Sequence, residues 1–192
     1  MEDESLHILK ILSDIAETTF RTRRSSISRI EASDFTREGK VELRKEIIKP
    51  LDDTIDYISN EIRSTLLMIP IYNFFLQHQK GVNIYDSAQI ISIIEDISNF
   101  NSFGNLFSYS GFIPNAKKYN KKLHKILLRL SYRLIKANPQ YQFIFEVQCQ
   151  KYEEKYPKYP RQHIENMAKR IVIKKFLKNL YFSWNQINKE DF

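Results

Sequence analysis

Between Pro114 and Pro139 the chain sorts its residues onto two stripes when wound at 100° per residue, and this constrains the fold more than any other feature. Leu123, Ile126, Leu127, Leu130 and Leu134 fall on one stripe, and Lys122, Lys125, Arg129, Arg133 and Lys136 fall on the one beside it. Only an α-helix sets residues three and four apart side by side. Residues 115–137 are therefore expected to form a helix with one face in a core and the other charged. The same spacing predicts a helix over residues 6–30, through Leu9, Leu12, Ile15, Ala16 and Thr19, with a polar end at Phe20-Arg21-Thr22-Arg23-Arg24.

Gly39 is expected to break the chain before a long amphipathic helix. That helix is marked by Val41, Leu43, Ile47, Ile48, Leu51, Ile55, Ile58, Ile62, Leu66 and Ile69, and a coiled-coil seam is an open alternative. Pro50 lies inside this pattern and has no N–H to donate, so either a kink or a fresh start with Pro50 in the first turn is expected. Ile69-Pro70 closes the segment. A short aromatic-rich helix over 72–79, a turn at Lys80-Gly81-Val82-Asn83 and a helix over 85–97 follow. Ser102 is the expected N-cap of a helix over 103–109 that ends at Ser110-Gly111. Asn138-Pro139 starts a helix to about residue 156, Pro157 and Pro160 interrupt, and a last helix runs over 161–186. With four glycines and six prolines in 192 residues, the chain is read as all-α: a helical bundle over 68–192 with a long N-terminal helical arm over 1–67.

Charge is unevenly placed. Residues 1–114 hold 12 Lys and Arg against 17 Asp and Glu, whereas residues 115–192 hold 18 against 6. A concentrated positive field attracts polyanions and releases counterions from phosphates, so nucleic acid is the expected partner, DNA first and RNA as an alternative. A Lys-rich surface that only confers solubility is the competing reading. Cys149 stands alone, which excludes an internal disulfide and a cysteine-based zinc site, and the four histidines lack ligand spacing. No cofactor and no metal is expected. Met1-Glu2-Asp3-Glu4 is acidic where a signal peptide is basic, and no uncharged stretch is long enough to cross a bilayer. A soluble, cytoplasmic protein with no membrane role is expected.

Asp96, Ile97, Phe100, Ser102, Leu106, Tyr109, Gly111 and Pro114 follow the spacing D-I-x-x-F-x-S-x-x-x-L-x-x-Y-x-G-L-x-P, with Phe112 in place of the Leu. This segment resembles the C-terminal domain of insertion-sequence transposases of the IS-one-ten type, a DEDD recombinase family. Leu66-Leu67-Met68-Ile69-Pro70-Ile71-Tyr72-Asn73 is similar to the family's L-L-x-I-P-G-I-G, which opens a helix-hairpin-helix, with Ile71 and Asn73 standing where glycines are usual. Residues 120–130 resemble its basic N-x-x-L-R helix, with His124 for Arg. Residues 165–181 resemble its ending through Met167, Ala168, Lys169, Arg170 and Tyr181. The likeness extends over most of residues 20–187. It implies DNA recombination, with a RuvC-like nuclease domain ahead of this one, a Ser-Gly nucleophile loop before the basic helix, and a guide RNA in some members. Neither the nuclease domain nor a Ser between Pro114 and the basic helix is found, so a non-catalytic protein is expected, with no catalytic residue assigned.

A hairpin turn holds DNA when backbone N–H groups at the start of the following helix face phosphate oxygens. Gly111, Phe112 and Ile113, with Lys117 and Lys118, are the leading candidates, and Lys80 and Gly81 are the second. The alternative is that both turns only connect core helices. Lys122, Lys125, Arg129, Arg133 and Lys136 could follow a phosphate backbone, because no acidic residue lies between Pro114 and Pro139 to offset them along the helix. Tyr152, Tyr156 and Tyr159, among Lys151, Lys155 and Lys158, could stack on bases, although core packing is the favoured reading. The expected function is a DNA binder that self-associates through its N-terminal helices. A subunit using a nuclease on another polypeptide and a helical protein-interaction module are the alternatives.

Overall fold

The computed structural model describes residues 2–113 and 118–190. Their regular elements are all helical, with no strand among the described residues. Helix α1 spans Glu2–Ala32 and α2 spans Arg37–Leu43. Helix α3 covers Lys49–Leu67, α4 Pro70–Phe74, α5 Ile84–Ile94 and α6 Phe103–Tyr109. Helix α7 covers Lys121–Ala137, α8 Pro139–Lys155 and α9 Arg161–Glu190.

Helices α1 and α3 lie antiparallel, joined by an ion pair between Arg23 and Asp52, and Glu31 of α1 pairs with Arg44 in the stretch just ahead of α3. Helix α5 sits between this pair and α7, and α9 packs on α4, α6, α7 and α8. The apolar stripe of α7 is the buried one: Leu123, Ile126, Leu127, Leu130 and Leu134 are sealed in the core. Leu9 and Ala16 of α1 and Ile58, Ile62 and Leu66 of α3 belong to the same core as these leucines and Phe176 of α9. The expected N-terminal arm is thus integral to the bundle at its base. Only its far end stands clear, where the buried Ile30 and Ile48 belong to neither core cluster. A smaller cluster joins Cys149 of α8 to Ile164 and Ala168 of α9, and burial there pushes the Cys149 thiol pKa up.

Several boundaries differ from those expected, each for a local reason. The break before the arm's second helix is at residues 33–36 rather than at Gly39. The Thr36 hydroxyl caps α2 by accepting from the Gly39 N–H at 3.2 Å. Pro50 occupies the first turn of α3, and the chain ahead of it widens into a π-helical stretch at Arg44–Ile48. That widening accommodates a ring that would strike the carbonyl four residues back. Helix α5 stops at Ile94, short of residue 97, because Glu95 adopts φ 59° and ψ −68° while the Asp96 N–H turns back to the Ile94 carbonyl at 2.7 Å. This is a γ-turn of the rarer hand.

The segment from Asp96 to Phe112 has an architectural role at every described position that carries the resemblance. Asp96 accepts from the Ser98 N–H at 2.8 Å and the Ser98 hydroxyl at 2.5 Å, which holds its carboxyl below the usual range. Ile97 and Leu106 are fully buried, and Ser102 caps α6. The Phe100 ring lies 5.3 Å from that of Tyr109. The Tyr109 hydroxyl accepts from the Asn120 amide at 2.8 Å, and Asn120 in turn caps α7 through the Leu123 N–H at 2.9 Å. That clamp makes Asn120 the start of the helix, so α7 begins at Lys121 rather than at 115. Residues 115–117 lie outside the described residues.

Candidate nucleic-acid interface

The two turns expected to face phosphates both have their backbone groups engaged. After α6, Gly111 takes φ 78°, and its N–H donates to the Ser108 carbonyl at 2.9 Å while that of Phe112 reaches the Phe107 carbonyl at 3.4 Å. This is the hydrogen-bond pattern of a glycine-terminated helix end. The N–H groups of Gly111 and Phe112 are thereby used inside the fold, and Phe112 is buried with its ring stacked on His124 at 4.3 Å. Ile113 and Lys118 are exposed, and Lys117 lies outside the described residues. Among the described residues the next helix begins at Lys121, so none of them places a helix N-terminus directly after Gly111.

The earlier turn is similarly committed. Gly81 has φ 97°, and a Cβ there would lie 2.7 Å from the Arg133 carbonyl oxygen, so the turn packs against the backbone of α7. Asn83 and Asp86 form a reciprocal cap at the start of α5, with the Asp86 N–H donating to Asn83 at 2.8 Å and the Asn83 N–H to Asp86 at 3.3 Å. A carboxylate therefore stands where a phosphate would sit. Lys80 is exposed beside the turn.

The basic stripe of α7 faces a groove. Helix α1 forms the opposite wall and α5 the floor, in two adjoining parts of about 640 and 370 Å³ that share Glu17, Gln89 and Arg129. Lys122 and Lys125 line the smaller part, and Arg133 joins Arg21 and Arg24 of α1 in the larger. Lys136 is exposed in the last turn of α7, outside both lining sets. The structure thus brings together two arginines from a helix end that the sequence marks only as polar and a stripe about a hundred residues later.

Acidic residues from other helices offset part of this stripe. Lys122 pairs with Asp14 at 2.5 Å and lies 3.9 Å from Glu17, which also pairs with Arg21 at 2.9 Å. Arg133 pairs with Asp86, a buried carboxyl that burial pushes upward in pKa while the guanidinium opposes the shift. Among the described residues, Arg24, Lys125 and Arg129 have no ion-pair partner. These three are exposed.

Elsewhere the basic residues have mixed roles. Lys169 is buried over the Tyr132 ring at 4.2 Å and serves packing. Lys174, on the outer face of α9, lies 5.7 Å from the Phe107 ring beside the Gly111 turn. Tyr156 and Tyr159 stack on each other at 5.1 Å, and Tyr159 meets His163 edge-on at 4.8 Å. These rings tie the α8–α9 corner together rather than filling the main core. Among the described residues no group of His, Cys, Asp or Glu could hold a metal ion, and no helix is long and apolar enough to cross a membrane.

No protein-family model matches the chain, and no curated protein or solved structure matches it either.

Proposed function

We propose that the chain binds nucleic acid, DNA in the first instance, by gripping backbone phosphates along the groove between α1 and α7, and that it acts as a transposase-related binder without catalysis of its own. The observation that carries this is the convergence of Arg24, Lys125 and Arg129 on one groove without ion-pair partners among the described residues. A solvated charged face would have no reason to collect arginines from two distant helices around a concavity. Arg129 feels the Asp86 carboxyl only at a distance, and guanidinium groups outside direct ion pairs are suited to bidentate phosphate contacts. In this reading the grip shifts from the hairpin turns, whose N–H groups are engaged, to side chains.

The test is binding to duplex, branched and single-stranded DNA across a salt series, with a Lys125→Glu, Arg129→Glu variant alongside. Removing one cation that touches a phosphate reduces the slope of log affinity against log salt by about 1. The double variant is therefore expected to show a slope shallower by about 2 and to bind at least tenfold more weakly. No affinity at low salt, or a flat salt dependence, overturns the proposal.

A second reading, a helical protein-interaction module, is favoured by Ile8, Ile11 and Ile15. They form an exposed apolar stripe on α1, each more than 40% accessible. If that is the function, the double variant leaves any DNA retention unchanged, and an Ile11→Glu, Ile15→Glu variant abolishes capture of the partner.

A further inference from the structure

The larger part of the groove contains a side chain that the backbone grip does not use. Gln89 of α5 is only 7% exposed and lies in the floor where the two parts meet, yet its amide has no hydrogen-bond partner among the described residues. The nearby Arg133 Nε–H is buried without an acceptor and is sealed from the cleft. The Gln89 amide, unpaired where it lines the cleft, is open to a ligand that both donates and accepts.

The surroundings narrow the chemistry of that ligand. Phe20 of α1 is exposed at the cleft wall, held edge-on against Tyr85 at 4.9 Å, and the Tyr85 hydroxyl is fixed by Ser59. Arg24 stands free on the same wall. A planar amide that donates and accepts at once matches a base edge, an exposed phenyl ring offers a stacking surface, and a free arginine matches a phosphate. A volume of about 640 Å³ accommodates a single nucleotide and falls in the range of small-ligand clefts.

We infer that the cleft between α1 and α5 receives one unpaired nucleotide of the bound nucleic acid, its base edge on Gln89, its ring against Phe20 and its phosphate on Arg24. This rests on the nucleic-acid reading above and sharpens it. The preferred substrate is a duplex carrying an extrahelical nucleotide, and fully paired DNA is held by the phosphate grip with the cleft left empty.

The experiment compares the full chain on a fully paired duplex and on the same duplex with a single 2-aminopurine bulge, following anisotropy and 2-aminopurine emission. The wild type is expected to bind the bulged duplex about tenfold more tightly, the discrimination of one good base contact, and to change its emission. Gln89→Leu is expected to bring the preference below twofold with paired-duplex affinity kept. Thermal melting checks that variant's fold. Arg24→Gln, at an exposed position, is expected to bring the preference below twofold without touching the core, along with the smaller loss of paired-duplex affinity that one phosphate contact brings. Equal affinity for the two duplexes, with a normal salt slope, overturns the nucleotide cleft and leaves backbone binding standing. Failure to bind either duplex removes both. A preference that survives Gln89→Leu and Arg24→Gln also overturns the cleft.

Discussion

Replacing Gly81 by Ala separates a turn that holds DNA from one that holds the fold. Gly81 adopts φ 97°, and an added Cβ would meet the Arg133 carbonyl oxygen at 2.7 Å, its carbon at 2.9 Å and the Leu134 nitrogen at 3.0 Å. All three are backbone atoms within helix α7, so none can rotate aside. The left-handed conformation costs an L-residue about 1–2 kcal/mol. Forcing a methyl into a filled contact costs about 1–3 kcal/mol more. A destabilisation of about 2–5 kcal/mol follows, which for a chain of this size lowers the melting temperature by roughly 4–20 °C, at about 2–4 °C per kcal/mol. Gly39→Ala is the control. That residue is helical and its Cβ would find only ordinary contacts, 3.5 Å at the nearest, so a gain of about 0.5–1 kcal/mol is expected. Urea unfolding and thermal melting measure both, and DNA binding below the transition completes the comparison. Gly81→Ala melting within about 2 °C of wild type, on the order of half a kcal/mol, would refute the packing account. Loss of DNA affinity in a variant that remains folded would return the turn to the binding surface.

Tyr141 is 1% exposed and its hydroxyl lacks a hydrogen bond of good geometry, although Asn179 lies beside it; burial pushes its pKa up to about 12. The unfolded phenol ionises near pH 10 while the folded one keeps its proton, so stability falls as pH rises from 10 to 12, by about 2–3 kcal/mol in all. Tyr141→Phe should remove that decline and leave stability at pH 7 equal or higher, as followed by urea unfolding against pH. A steeper alkaline loss in the variant contradicts this. Glu95→Gly should stabilise by about 1 kcal/mol, because the strained φ of 59° is relieved and the exposed Lys10 pair at 3.6 Å contributes little, whereas Glu95→Ala should bring no gain. Thermal melting of the two variants decides it, and equal behaviour excludes strain at this turn.

How much was legible in the sequence differs from element to element. The faces of α7 could be read because a helix repeats its burial every three or four residues, and the leucines from 123 to 134 keep that period along the buried stripe. The start of α7 could not, since it depends on a hydrogen bond between Asn120 and Tyr109 across a loop rather than on any preference of residues 115–120. The γ-turn at Glu95 was hidden for a similar reason: glutamate carries no turn signal, and the turn joins the buried Ile94 to the buried Ile97. In the groove, the α7 cations were visible as a stripe, whereas Arg24 and Gln89 were not, because their relation to that stripe exists only once α1, α5 and α7 are assembled. The pairing of Lys122 with Asp14, 108 residues away, shows why counting acids along one helix overstates its free charge.

The segment from Asp96 to Gly111 and the surface proposed to touch nucleic acid are different parts of the molecule. From Asp96 to Gly111 each described motif residue caps a helix, fills the core or closes a turn. A pattern built of such roles specifies how the chain turns, and a chain can keep it while changing what it binds. The unpaired cations of the groove lie on α1 and α7, where residue identity is not dictated by packing. Folding alone does not require Arg24, Lys125 or Arg129, because all three are exposed and unpaired among the described residues. Neutralising these three should therefore leave the melting temperature nearly unchanged while nucleic-acid affinity falls, whereas substitutions in the motif should lower stability first and affinity only through it.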